Sequence, residues 1–105
     1  MIRGIGTDIC DLNRLSLNES FVKRILCKEE LEVYQTKKTD HLKREYLGGR
    51  FAVKEAFIKA YGKIPFQDIC CLNDQEGKPY LNYDKCHVSL SHEHDYAIAF
   101  VIVEF

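Results

Sequence analysis

One stretch constrains this chain more than any other: Gly48-Gly49-Arg50-Phe51-Ala52-Val53-Lys54-Glu55-Ala56-Phe57-Ile58-Lys59-Ala60. It lies within a longer segment, roughly Thr39 to Tyr61, in which Leu47, Phe51, Ala52, Phe57 and Ile58 form an apolar stripe of helical period. Thr39 or Asp40 is the expected N-cap and Gly62 the expected stop. Such a helix must bury its stripe against the rest of the fold. The same stretch nevertheless carries Arg50, Lys54, Glu55 and Lys59, and burying charge is costly unless something pairs with it. Three bases around one acid suit a metal–phosphate site, with Glu55 holding a divalent cation and the bases holding phosphate oxygens. The plainer alternative is a surface ion pair between Glu55 and Lys59, four residues apart on one face. Gly48-Gly49 costs about 1 kcal/mol per residue inside a helix, which predicts a bend or a tight contact there.

The segments around this helix are short. Ile2 to Cys10 reads as a strand, and Asp11 as the cap of a short helix containing Leu12, Arg14 and Leu15. Glu19 to Leu26 and Lys28 to Gln35 read as two more helices. Phe66 to Leu72 reads as a strand, Asn73 to Pro79 as a turn, and Tyr80 to Tyr83 as the returning hairpin arm. Cys86 to Ser91 is a further strand. Tyr96 to Phe105 is almost continuously apolar, as expected of a strand buried on both faces. The pattern predicts one α+β domain over residues 1–105, its helices packed on a mostly antiparallel sheet.

Net charge is −1, which argues against a dedicated nucleic-acid binder. The five cysteines are odd in number and lack C-x-x-C spacing, so reduced thiols in a soluble, cytoplasmic protein are expected. No signal-peptide pattern or membrane-span length occurs.

Asp8, at the end of an apolar strand, is either a structural strand-end residue or a second carboxylate for the cation. His92 and His94, with Cys86 and His87 upstream, match no standard zinc spacing. A serine hydrolase would need a nucleophile elbow that Ser89 and Ser91 lack. His92 is instead a candidate donor to a phosphate.

Three blocks together resemble the holo-acyl-carrier-protein synthase family of small bacterial-type 4′-phosphopantetheinyl transferases. They are Gly4-Ile5-Gly6-Thr7-Asp8-Ile9 followed by Arg14, Gly49-Arg50-Phe51-Ala52-Val53-Lys54-Glu55-Ala56-Phe57, and Val88-Ser89-Leu90-Ser91-His92 followed by Tyr96-Ala97-Ile98-Ala99. The resemblance covers nearly the whole chain. It implies transfer of 4′-phosphopantetheine from coenzyme A to a serine of apo acyl carrier protein, in support of fatty acid biosynthesis. It further implies Mg²⁺ held by Asp8 and Glu55, and Lys59 near the coenzyme A diphosphate. Arg50 and His92 would lie near phosphates of the nucleotide end, with Lys54 among the cations that hold phosphate. Arg14 would contact the acidic carrier protein. Glu55, directly or through a metal-bound water, is the implied base for the serine proton. The implied assembly is a homotrimer with active sites between subunits. Cys27 stands where the family often has a helix-capping threonine.

Overall fold

In a computed structural model describing residues 1–105, the longest helix runs through the middle of the molecule. The elements are β1 (Ile2–Asp11), α1 (Glu19–Ile25), α2 (Lys28–Gln35), α3 (Asp40–Tyr61), β2 (Cys71–Asn73), β3 (Pro79–Leu81), β4 (Cys86–Glu93) and β5 (Tyr96–Glu104). Short 3₁₀ turns cover Leu12–Arg14 and Phe66–Asp68. Thr39 caps α3 by accepting the Leu42 amide on its hydroxyl, and Gly62 ends it at φ 131°. At 1.5 Å per residue α3 spans about 33 Å, most of the molecule's 41 Å length.

Two antiparallel sheets face this helix. The larger has strand order β1-β5-β4, and β2 pairs with β3 in the smaller. The main core joins Ala52, Val53, Ala56 and Phe57 of α3 to Ala97, Ala99, Val101 and Val103 of β5. A second cluster packs Val22, Ile25, Leu26 and Tyr34 against Tyr46 and Leu47.

β1 approaches α3 so closely that a side chain cannot intervene. A Cβ on Gly4 would fall 1.9 Å from the Ala60 carbonyl oxygen, and one on Gly6 would fall 1.8 Å from that of Ala56. At Gly48 a Cβ would fall 2.2 Å from Leu12 Cδ2, the tip of a side chain that can shift, so the contact is tight but less absolute than at Gly4 and Gly6. α3 runs as one helix through Gly48-Gly49, so the pair serves a tight contact.

Three sequence expectations need correction. Phe66 to Leu72 is not one strand: Pro65 starts a 3₁₀ turn, and β2 begins only at Cys71. β5 is not buried on both faces. Ala97, Ala99, Val101 and Val103 point to the helix, whereas Tyr96, Ile98 and Phe100 are half exposed because α3 covers one side of the sheet only. Nor are all five cysteines free. Cys27, at the N-cap of α2, is disulfide-bonded to Cys70, leaving Cys10, Cys71 and Cys86 as thiols. No helix is long and apolar enough to cross a membrane.

Candidate active site

The glycine contacts set the register between β1 and α3. Two residues along the strand, from Gly4 to Gly6, correspond to four along the helix, from Ala60 to Ala56. The distances agree, because two strand residues rise about 6.6 Å and four helix residues about 6 Å. Asp8 is the next residue on that strand face. The register carries it to the preceding turn of α3, the turn to which Glu55 belongs. Asp8 and Glu55 are both partly buried. Lys59 reaches back from one turn further along, its Nζ donating to the Thr7 carbonyl at 2.9 Å and to Asp8 Oδ1 at 3.2 Å. The plain reading of Glu55 and Lys59 as a mutual surface pair therefore does not hold: Lys59 pairs with Asp8. Cys10 lies beside this group. Burial, and then the charges of Asp8 and Asp11, push its thiol up to about 11.

Arg50 and His92 meet at a different place. The Arg50 side chain is almost fully buried. Its Nε donates to the Cys71 carbonyl at 3.1 Å, its Nη2 to the Asn73 side chain, and its guanidinium lies 4.1 Å from the centre of the Tyr46 ring. Nη1 makes no hydrogen bond within the protein. His92 extends from β4, with Nδ1 3.2 Å from Glu45 Oε2. Both residues line a cleft of about 450 Å³ with Lys37, Glu45, Tyr46, Asn73 and Leu90. The Tyr46 hydroxyl is buried there without a hydrogen-bond partner, and burial pushes its pKa up to about 12. Reading the sequence missed Glu45, Tyr46 and Asn73. The four-residue spacing of Tyr46 and Arg50 was an available signal for stacking along the helix. Asn73 reaches Arg50 only through the packing of the small sheet, which no local pattern announces.

Lys54 does not belong to either group, contrary to the sequence expectation. It is fully buried and directed at α2, where Nζ donates to Glu30 Oε1 at 2.5 Å and to the Ile25 carbonyl at 2.6 Å. Phe66 supplies a further carbonyl at 3.1 Å. Burial lowers the Lys54 pKa and Glu30 opposes that shift. Arg14 is exposed beside an apolar hollow formed by Ile9, Leu15, Phe21, Phe51 and Tyr96.

The arrangement thus has two chemically different parts on opposite flanks of α3. Asp8, Glu55 and Lys59 stand at the β1 edge of the large sheet, and Arg50, Glu45 and His92 at its β4 edge. Two carboxylates with a lysine are suited to a hard cation and a phosphoryl group. A buried arginine with one free nitrogen beside a histidine is suited to a terminal phosphate.

Residues 4–101 match the model of the 4′-phosphopantetheinyl transferase superfamily. The holo-[acyl-carrier-protein] synthase of Petrotoga mobilis is 41% identical over 117 residues, covering 98% of this chain and 97% of that protein. This chain belongs to the holo-[acyl-carrier-protein] synthase family. The Bacillus subtilis member is 42% identical, over 99% of this chain and 97% of its own length. Among solved structures, the Bacillus anthracis synthase in complex with CoA (3′,5′-ADP) superposes with a TM-score of 0.88 at 40% identity, over 97% of this chain and 96% of that one. The Neisseria meningitidis synthase gives 0.88 at 35% identity over the whole of both chains. Family membership makes this protein a phosphopantetheinyl transferase enzyme, and the likeness supports the α+β assignment.

Proposed function

We propose that this chain transfers the 4′-phosphopantetheine arm of coenzyme A to a serine of an apo acyl carrier protein and releases adenosine 3′,5′-bisphosphate. The reaction would be Mg²⁺-dependent, would take place in the cytoplasm and would support fatty acid biosynthesis. The observation that carries this reading is the Lys59–Asp8 ion pair where β1 crosses α3, with Glu55 one turn before Lys59 on the same face of the helix. The chemistry follows from these groups. The serine oxygen forms a bond to the pantetheine-bearing phosphorus as the anhydride bond to the nucleotide breaks, and the serine proton passes to a base, for which Glu55 is the candidate. Lys59 would neutralise charge on the diphosphate.

The donor set fits Mg²⁺. Asp8 and Glu55 are hard oxygen ligands from two separate elements, and Asp8 Oδ1 already attracts a cation, the Lys59 ammonium. Mg²⁺ bound by them would screen the diphosphate and favour the leaving nucleotide. Arg50 and His92 would take a phosphate of the nucleotide end, through Arg50 Nη1 and the His92 imidazole. Lys54 has no part in this, since its ammonium is enclosed within the protein.

The assembly proposed is a homotrimer with active sites between subunits. Two features support it. The carboxylates and the Arg50–His92 cleft lie on opposite flanks of α3, so one extended ligand meets both most directly by bridging two chains. The outer face of β1 and β5 also exposes Ile5 (54%), Ile9 (62%), Ile98 (50%) and Phe100 (46%), an apolar strip suited to a neighbouring copy. Arg14 and the apolar hollow beside it would receive the carrier protein.

Intact mass of an apo carrier protein after incubation with enzyme, coenzyme A and Mg²⁺ tests the reading. A gain of one phosphopantetheine is expected. An unchanged carrier mass, with the enzyme folded and coenzyme A bound, would leave only a binding role.

A further inference from the structure

The Cys27–Cys70 bond lies outside the proposed chemistry but next to what holds Arg50. Cys27 starts α2, and Cys70 immediately precedes β2. Their Cα atoms are 5.9 Å apart across 43 residues of sequence, within bonding range without backbone rearrangement. Glu30 ties the same two segments together. Its Oε1 accepts the Cys27 amide at 2.9 Å and its Oε2 accepts the Cys71 amide at 2.8 Å. The carbonyl of Cys71 and the side chain of Asn73 in turn hold Arg50. One peptide unit therefore separates the bridge from the group that aims Arg50 into the cleft.

We propose that Cys27 and Cys70 form a thiol–disulfide exchange site for low-molecular-weight thiols, and that its oxidised state fixes Arg50 for nucleotide binding. A thiolate attacks Cys70 Sγ, on the less buried of the two residues, forming a mixed disulfide and releasing the Cys27 thiolate. A second thiolate attacks the reagent sulfur of that mixed disulfide and releases the Cys70 thiolate; both protein thiolates then take protons from solvent. The protein gains two electrons, and two reagent thiols become one disulfide. The reverse reaction with a small-molecule disulfide restores the bond. Buried Cys71 cannot substitute for Cys70, because burial pushes its thiol up to about 11 and keeps it protonated. A metal centre fits poorly at the same position. Cys27, Glu30 and Cys70 offer three donor atoms within 4.8 Å, but both Glu30 oxygens already hold the Lys54 ammonium and backbone amides. In a reducing compartment, an exchangeable disulfide is a more economical account than a permanent brace.

The coupling to Arg50 rests on the phosphate role proposed for that residue, whereas the exchange site does not. The test keeps the two apart. The protein is equilibrated with reduced and oxidised glutathione at a series of ratios, quenched, denatured and alkylated. Intact mass should move from three added labels to five across the series, and peptide mapping should place the change on Cys27 and Cys70. Binding of adenosine 3′,5′-bisphosphate, which has no thiol of its own, is then measured by calorimetry at the two ends of the series. Reduction should weaken it about fivefold, the low end of ordinary coupling between sites. The Cys27→Ser/Cys70→Ser variant should bind like the reduced protein at every ratio, and Cys86→Ser should respond like the wild type. Five labels at every ratio would overturn the exchange site. A bond that opens and closes without altering nucleotide affinity would overturn the coupling. Equal absence of nucleotide binding at both ends would instead count against the function proposed for the Arg50 cleft, while the labelling still decides the exchange site.

Discussion

Lys54 and Lys59 are five residues, about 1.4 turns, apart on the same helix and have opposite fates. Lys54 is enclosed, with Glu30 and two carbonyls as partners, and its charge is fully answered inside the protein. Lys59 is half exposed and shares Asp8 with solvent, with Glu55 one turn earlier on the same helix face. The difference teaches that a charge on an otherwise apolar helix does not identify a binding site. What distinguishes the two is whether the fold itself supplies the counter-charge. α2 brings Glu30 to Lys54, whereas at the β1 edge Lys59 has only Asp8 as its counter-charge and stays half exposed.

Substitutions should separate these regions by phenotype. The largest effect is expected on the open side. Asp8→Ala or Glu55→Ala should reduce turnover by about 10²- to 10³-fold, the scale of losing a group that stabilises transition-state charge. Thermal stability should stay near that of the wild type, read by melting alongside a carrier-modification assay. Either variant retaining normal turnover would remove the contrast. On the closed side, Lys54→Met should cost about 3 kcal/mol or more of stability, because it leaves Glu30 charged and buried. Adding Glu30→Gln to Lys54→Met should recover part of that loss in denaturant unfolding, since the uncompensated charge is gone. A Lys54→Met protein of normal stability but abolished nucleotide binding would return Lys54 to the binding site.

A smaller effect concerns the thiols. Cys71, behind the closed pair, and Cys10, beside the open carboxylates, each have a thiol raised from about 9 to about 11, with burial the main cause in both. A raised folded-state pKa favours the protonated form, so this stabilisation is complete below pH 9 and is lost as pH rises through 11. Unfolding by denaturant should therefore become easier between pH 9 and 11. Asp8→Asn should lower the Cys10 value and leave that of Cys71 unchanged, because only Cys10 feels the Asp8 charge. Ultraviolet thiolate titration of the two proteins distinguishes them.

Much of this was legible in the sequence. The bounds of α2, Lys28–Gln35, follow from the sequence, and Asp11, Thr39 and Gly62 take the capping roles expected of them, because capping and helix arrest are local chemistry. The grouping of Asp8 with Lys59 is non-local, yet the glycines of β1 and the charges of α3 hinted at a shared contact. The fate of Lys54 was not legible, since its partner comes from another helix and spacing along α3 is silent about that. The Cys27–Cys70 bond was hidden for the same reason. β5 misled because its apolar run is continuous, although only alternate residues meet α3. The outer residues are apolar without being covered by the chain itself.

The proposed chemistry requires the carboxylates of Asp8 and Glu55 to act together on one divalent cation. Electron paramagnetic resonance of Mn²⁺, titrated into the enzyme with coenzyme A present, measures this directly. Wild type and Lys54→Met should bind one Mn²⁺ per chain, with Asp8→Ala and Glu55→Ala each losing it. Unaltered Mn²⁺ binding in either carboxylate variant would contradict a shared cation between β1 and α3.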